Sequence, residues 1–273
     1  MVPICRQLEI SRLFSQSGAR RYATTLEKKD WEVYVEGVEA YSTLGWFKDP
    51  LLNTFITEPD ADLAEILFHE LAHQRVFIRG DTDFNEAFAT AVGEEGARRW
   101  LEAKGEPDKT EKYLAALRRN EQFVQLVMAA REQLKSLYGD KPSTNGRAQK
   151  RPPKNADLAG LRRRRAAILT QLRQDYTSLK AQWGGIGSYN HWFAQSLNNA
   201  QLNTVAAYYD LVPGFRGLLQ KKKGDLEKFY EEVRALGRLK KEERHRQLKA
   251  YGDAQAATNR SMLAKTPLGV ACL

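Results

Sequence analysis

The sequence predicts a mainly α chain carrying one small β-sheet, an α+β fold, and three observations lead there. Apolar residues recur at three- and four-residue steps along most of the chain, the spacing that lines one face of a helix. Glycines and prolines fall between those stretches, where they end helices. Alternation of apolar and polar residues, the mark of a strand, is confined to the neighbourhood of Trp31 to Leu44.

Ser17 to Lys29 predicts a short helix with Ala19, Tyr22, Ala23 and Leu26 on one face. Trp31, Val33 and Val35 then alternate with Glu32 and Tyr34, and Gly37 interrupts before Val38, Ala40 and Tyr41, so one or two bent strands are expected. Gly45, Pro50 and Pro59 punctuate a loop between Leu44 and Asp60. Ala61 to Ile78 is apolar at helical spacing and stops at Gly80; Asp83 to Ala103 is a second helix, ended by Gly105 and Pro107. A third, Thr110 to Tyr138, carries Leu114, Leu117, Phe123, Leu126, Val127, Leu134 and Leu137 on an amphipathic pattern. Pro142, Pro152 and Pro153 forbid a continuous helix in Gly139 to Ala156, which reads as an exposed basic loop. A basic helix, Leu158 to Trp183, breaks at Gly184, Gly185 and Gly187; a polar-aromatic helix, Tyr189 to Tyr209, is ended by Pro213. A charged helix pair around Leu218 to Leu248 and a weakly structured tail complete the chain. A single domain over residues 1–273 is expected, in five parts: 1–58 (α/β), 59–138 (paired helices), 139–157 (basic loop), 158–250 (helical) and 251–273 (tail).

Composition excludes disordered and collagen-like classes, because 42% of the residues are apolar and 10% aromatic. The net charge of +9 favours an acidic partner such as nucleic acid or an anionic membrane surface. No apolar stretch approaches the roughly 20 residues of a membrane helix, so no transmembrane segment is expected. Cys5 and Cys272 stand at opposite ends without metal or redox spacing. Met1 to Arg21 is arginine-rich but lacks an apolar run followed by a small-residue cleavage site.

The chemistry concentrates in two of the four histidines. His69-Glu70-Leu71-Ala72-His73 is an H-E-x-x-H pattern inside a helix. Four residues advance a helix by about 400°, so both imidazoles leave one face about 6 Å apart along the axis, suited to gripping one zinc ion. Glu70 lies about 100° round from His69, poorly placed as a ligand but well placed to take a proton from a water on the metal. Arg75 departs from the otherwise uncharged surroundings. A third ligand is needed, and Glu86, opening the next helix, is the candidate; two histidines plus a glutamate leave one position for water. Asp83-x-x-Glu86 is also a capping box, which would instead tie both side chains to the helix N-terminus. Thr90, one turn after Glu86, could orient a ligand imidazole through its free nitrogen or simply pack.

His69 to His73 with Asn85-Glu86-Ala87-Phe88-Ala89 resembles the gluzincin class of zinc peptidases. The fuller run resembles a bacterial zinc aminopeptidase family over about Ser15 to His245. Its supporting pieces are Gly37 to Phe47, Asp49-Pro50-Leu51, Gly80 to Glu86, Leu197-Asn198-Asn199-Ala200, Tyr208 and Val212-Pro213-Gly214-Phe215. The resemblance implies a zincin-like fold with the histidine helix under a short sheet, one zinc per chain held by His69, His73 and Glu86, and Glu70 as general base. Its substrate would be a peptide or protein. Related peptidases steady the developing oxyanion with a tyrosine or histidine, which points to Tyr208, with Tyr209 and His191 behind it. By the same analogy Tyr41, Ser42 and Thr43 would line a sheet edge above the metal. Glu36 or Glu39 could receive a substrate amino terminus. Asn198 and Asn199 could hold substrate backbone or brace neighbouring helices.

Two departures from the family stand out. Its members usually carry a longer N-terminal part, often with a lipoprotein-type export signal, so Met1 to Phe14 reads as a clipped or altered counterpart; the compartment stays open, and the resemblance implies the bacterial periplasm or cell envelope only if an N-terminal signal is missing. The glycine-rich acidic motif with which well-studied aminopeptidases hold a free α-amino group is absent, so aminopeptidase and endopeptidase both stay open. The other class of function is a noncatalytic helical binding module contacting nucleic acid or an anionic surface through Lys150, Arg151, Lys154 and Arg162 to Arg165. Nucleic acid is not expected: the arginine run covers more than one turn, and no aromatics interleave with it.

Overall fold

The computed structural model describes residues 15–37, 59–138 and 157–265, with side chains through residue 257. Among these residues all the regular structure is α-helix: α1 Gln16–Glu27, α2 Asp60–Arg75, α3 Thr82–Lys104, α4 Pro107–Tyr138, α5 Leu158–Gln182, α6 Asn190–Ala194, α7 Asn199–Tyr209, α8 Val212–Lys221, α9 Leu226–Gly237 and α10 Lys241–Lys265. No strand forms among them, which overturns the expected α+β fold with a sheet over the histidine helix. The reason lies in how the alternating segment is satisfied. Residues 31–37 carry no helix, but no second strand pairs with them among the described residues. Asn198 Nδ2 instead donates to the Val33 carbonyl at 2.9 Å, and the Glu32 carboxylate accepts the Asn199 backbone N–H at 2.7 Å and pairs with Arg165. The segment is thus held to α7 and α5 through one backbone carbonyl and the Glu32 carboxylate. The rest of the expected strand region, from Val38 onward, lies outside the described residues, as does the basic loop, residues 139–156.

Several stretches read from the sequence need redrawing. Tyr189 to Tyr209 is broken at Gln195, whose backbone is extended, and resumes at α7, where Asn198 Oδ1 accepts the Gln201 N–H at 2.9 Å as an N-cap. Pro213, read as a terminator, sits in the first turn of α8, where its missing N–H costs nothing. The late helix pair is three helices, turned between α8 and α9 by Lys223 and Gly224, both at positive φ, and α10 runs through Lys265 where a loose tail was expected.

The chain forms two compact units: residues 1–38 with 114–206, and residues 39–113 with 207–273. The first is centred on aromatic rings. Phe123 stacks on Tyr189 with centroids 3.8 Å apart, and Tyr176 stacks on Phe193 at 4.1 Å. The phenol oxygens stay satisfied, Tyr176 donating to Asn190 Oδ1 and Tyr189 to Asn120 Oδ1, both at 2.9 Å.

The second unit carries the histidine helix. Its core gathers Ala72 and Val76 from α2 and its end, Phe84, Ala87 and Phe88 from α3, Phe215 and Leu218 from α8, Phe229 and Val233 from α9, and Leu248 from α10. Helices α2 and α3 run antiparallel in tight contact. A Cβ on Gly93 would stand 2.9 Å from the Glu65 carbonyl oxygen and 3.3 Å from His69 Cβ, and one on Gly96 would strike the Phe68 ring. A second close crossing joins α8 to α10, where the Gly214 and Gly217 backbones rest against the Leu248 and Tyr251 carbonyls.

The connection between α2 and α3 is latched to α10. Asp81, 1% exposed, has Lys241 Nζ at 3.1 Å, Arg244 Nε at 3.2 Å and His245 Nε2 at 2.9 Å. Burial by itself would raise this carboxyl, but His245 and Lys241 hold it below the usual carboxylate range.

Two outcomes follow for stability. Gly214→Val forces a side chain into the α10 backbone and should cost about 3 kcal/mol, the upper end of overpacking, read from urea denaturation. Asp81→Asn should cost about 1.5–3 kcal/mol near neutral pH. Because the folded-state pKa is the depressed one, that contribution is complete above the unfolded carboxyl value of about 3.9 and disappears as pH falls through the folded value. Denaturation curves of the two proteins should therefore converge in acid, and a gap that stays constant would contradict the latch.

Candidate metal centre

Helix α2 opens with Asp60 and Asp62 in its first turn, where the helix dipole favours acids, and carries His69 and His73 on one face. Helix α3 returns along that face after a six-residue connection, Val76 to Asp81, turned at Gly80 (φ 82°). This brings Glu86, in the second turn of α3, opposite both histidines. Glu86 Oε2 stands 3.5 Å from His69 Nε2 and 3.7 Å from His73 Nε2, and the imidazole rings meet edge to face with centroids 5.0 Å apart.

These distances bear on whether a metal fits. Nitrogen–oxygen hydrogen bonds run about 2.7–3.2 Å, so the carboxylate is too far for good ones. Tetrahedral zinc with ligands at about 2.0–2.2 Å separates neighbouring donors by about 3.3–3.6 Å, which the observed spacings approach. His69, His73 and Glu86 form a group able to hold a metal, each offering one donor atom within 4.8 Å of the others. Two imidazoles and one carboxylate form a donor set suited to zinc. Both His73 and Glu86 are buried, at 7% and 5% exposure. Burial would raise the Glu86 carboxyl, but the imidazoles of His69 and His73 bring it down to about 2.

The capping-box alternative for Glu86 is not adopted. Asp81 is the N-cap of α3, Asp83 lies inside the first turn, and the Glu86 carboxylate faces the histidines. Glu70 is half-buried between the two histidines in sequence. Thr90 is buried one turn beyond Glu86, while His73 Nδ1 is buried without a hydrogen-bond partner among the described residues. Arg75, the odd charge after the motif, pairs with both carboxylate oxygens of Glu227 at 2.6 and 2.7 Å and lies 4.9 Å from the Tyr230 ring centroid. Tyr208 and Tyr209 end α7, both half-buried. Asn198 bonds the Val33 carbonyl and the Gln201 N–H, and the Asn199 N–H bonds the Glu32 carboxylate. His191 belongs to α6, in the first unit, with Gln195 Nε2 3.5 Å from its Nε2. Tyr41, Ser42, Thr43 and Glu39 lie outside the described residues. In the basic run on α5, Arg162, Arg163 and Arg164 are exposed and Arg165 is committed to Glu32.

A polar network beside the histidines has no counterpart in the sequence reading. The Tyr113 hydroxyl donates to Glu65 Oε2 at 2.6 Å, one turn before His69, and Arg216 grips Glu94 Oε2 through Nη2 at 2.6 Å and Nε at 3.1 Å. Burial pushes the Glu65 carboxyl up to about 7 against the Tyr113 hydrogen bond. The network ties α2 to the start of α4 and α3 to α8. Its one sequence signal is helical register: Glu65 precedes His69 by four residues, and Glu94 follows Glu86 by eight.

No helix among the described residues is long and apolar enough to cross a membrane. No curated protein and no solved structure matches the chain. A family model described as "Putative aminopeptidase" does match, over residues 11–248, a span that takes in the histidine helix, Glu86 and most of both compact units. A match of that extent makes the chain a member of this aminopeptidase family.

Proposed function

We propose that the protein is a zinc-dependent peptidase that removes residues from the amino terminus of peptides. The observation that carries the reading is Glu86 Oε2 standing 3.5 and 3.7 Å from the two Nε2 atoms of an H-E-x-x-H helix, a spacing suited to a shared ion. Membership of the aminopeptidase family supports the choice of peptide substrate.

Bound by His69, His73 and Glu86, zinc would supply a Lewis acid for the scissile carbonyl and bring the pKa of a coordinated water to about 7. The chain's own residues do the rest. Two neutral imidazoles and one carboxylate leave a coordination position for water and substrate. Glu70, about 100° round the helix from His69, accepts the proton of the attacking water and returns it to the departing amine nitrogen. The Tyr208 hydroxyl is the proposed donor to the oxyanion that forms at the carbonyl. Tyr41, Ser42 and Thr43 are the proposed contacts for the substrate backbone, and Thr90 the proposed partner of a ligand imidazole.

Metal analysis of purified protein beside Glu70→Gln tests the reading. About one zinc per chain is expected in both proteins, with peptidase turnover falling about 10²–10⁴-fold in the variant. Wild type that takes up no metal when supplied with it would sink the proposal. A matched pair of peptides, one free and one acetylated at its amino terminus, then separates the modes of cleavage: an aminopeptidase leaves the acetylated peptide intact, and equal cleavage of both would assign an endopeptidase.

A further inference from the structure

The ligand Glu86 comes from one helix and the two histidines from another, so the centre depends on whatever fixes α3 against the end of α2. The residue immediately before Glu86 does this in an unusual way. Asn85 is 3% exposed, and its carboxamide bonds both polar groups of a single residue in the connection: the Ile78 N–H donates to Asn85 Oδ1 at 2.8 Å, and Asn85 Nδ2 donates to the Ile78 carbonyl at 2.8 Å. The same carbonyl also accepts the Asp81 N–H at 3.2 Å, and the Asn85 N–H reaches the Asp81 carbonyl at 3.1 Å, closing the turn on itself.

Ile78 is in turn held from the far side. Its side chain lies against Gly237 on α9, close enough that a Cβ there would collide with it. Asp81 is held by α10, as described above. The connection is therefore anchored to the body of the unit at Ile78 and Asp81, and Asn85 transfers that anchorage to the residue beside the ligand.

We infer that Asn85 is the positioning residue of the metal centre, its two-way carboxamide bond to Ile78 setting the angle at which α3 presents Glu86 to His69 and His73. The inference rests on the metal reading of those three residues. It also accounts for the residue type. Only a carboxamide offers an acceptor and a donor side by side to the N–H and C=O of one residue. Aspartate has the shape but would set a second oxygen against the Ile78 carbonyl, alanine supplies neither bond, and glutamine is a methylene too long.

Zinc affinity, measured by competition with a chromophoric chelator, and the visible spectrum of the cobalt(II)-substituted protein test this together. Outer partners that orient metal ligands typically change affinity about 10–100-fold. Asn85→Ala should raise the zinc Kd by that factor and alter the cobalt bands at saturating metal. Asn85→Asp, which keeps the size and one bond, should weaken binding in the same direction and serves if the alanine variant does not fold. Leu218→Ala, a core truncation on α8, controls for lost stability and should leave Kd within about twofold of wild type, since it removes no partner of the ligands. Folded Asn85 variants with wild-type Kd and wild-type cobalt spectrum would overturn the inference while leaving the metal site standing, and so would a loss in Leu218→Ala as large as in Asn85→Ala. A wild-type protein that binds neither ion would instead overturn the metal reading, and the role of Asn85 with it.

Discussion

A carboxylate enclosed beside two imidazoles loses most of its hydration, and the α2–α3 pair is built around that constraint. Glu86 is 5% exposed, yet its carboxyl is held near 2 by His69 and His73. The arrangement needs the two helices close and correctly registered, which a side chain at position 93 would prevent: its Cβ would press on the Glu65 carbonyl and on His69 itself. Gly93 thus serves the site through absence. Where it lets the backbones approach, Glu86 can face both histidines across the gap.

What keeps the pair in place is polar on both sides of that contact. Beyond His69, Tyr113 holds Glu65 and Arg216 holds Glu94, so each of α2 and α3 has a carboxyl group tied to another element. Beyond His73, the connection is fixed by Asn85 to Ile78 and by Asp81 to α10. Buried charge of this kind is weak evidence for stability, because desolvation offsets much of the attraction. Its geometric specificity is the more useful property here, since slippage by one residue would rotate Glu86 about 100° away from the histidines.

The helices and the meeting of His69, His73 and Glu86 were legible because both depend on local spacing. His69 and His73 share a face at any four-residue step of a helix, and Gly80 and Gly105 mark helix ends where the chain bends. The sheet was misread because alternation cannot report a partner: Trp31 to Gly37 forms neither helix nor strand, and Asn198 and Asn199, more than a hundred and sixty positions away, bond the Val33 carbonyl and the Glu32 carboxylate. The break at Gln195 and the cap at Asn198 were hidden for a related reason, since the aromatic pattern runs through both. Asn85, read only as part of a motif, and Glu65, Tyr113, Glu94 and Arg216 emerged from contacts between helices that no periodicity encodes. His245, one of four histidines, was passed over because it has no neighbour in sequence with which to make a pattern, and it proves to be a partner of Asp81.

On the proposed function, His69, His73 and Glu86 together hold one metal ion. X-ray absorption at the zinc edge of the metal-loaded protein tests it most directly. The account predicts a shell of nitrogen and oxygen at about 2.0–2.2 Å with the outer scattering of two imidazole rings, falling to one ring in His73→Ala. A shell without imidazole scattering, or one unchanged by that substitution, would contradict it.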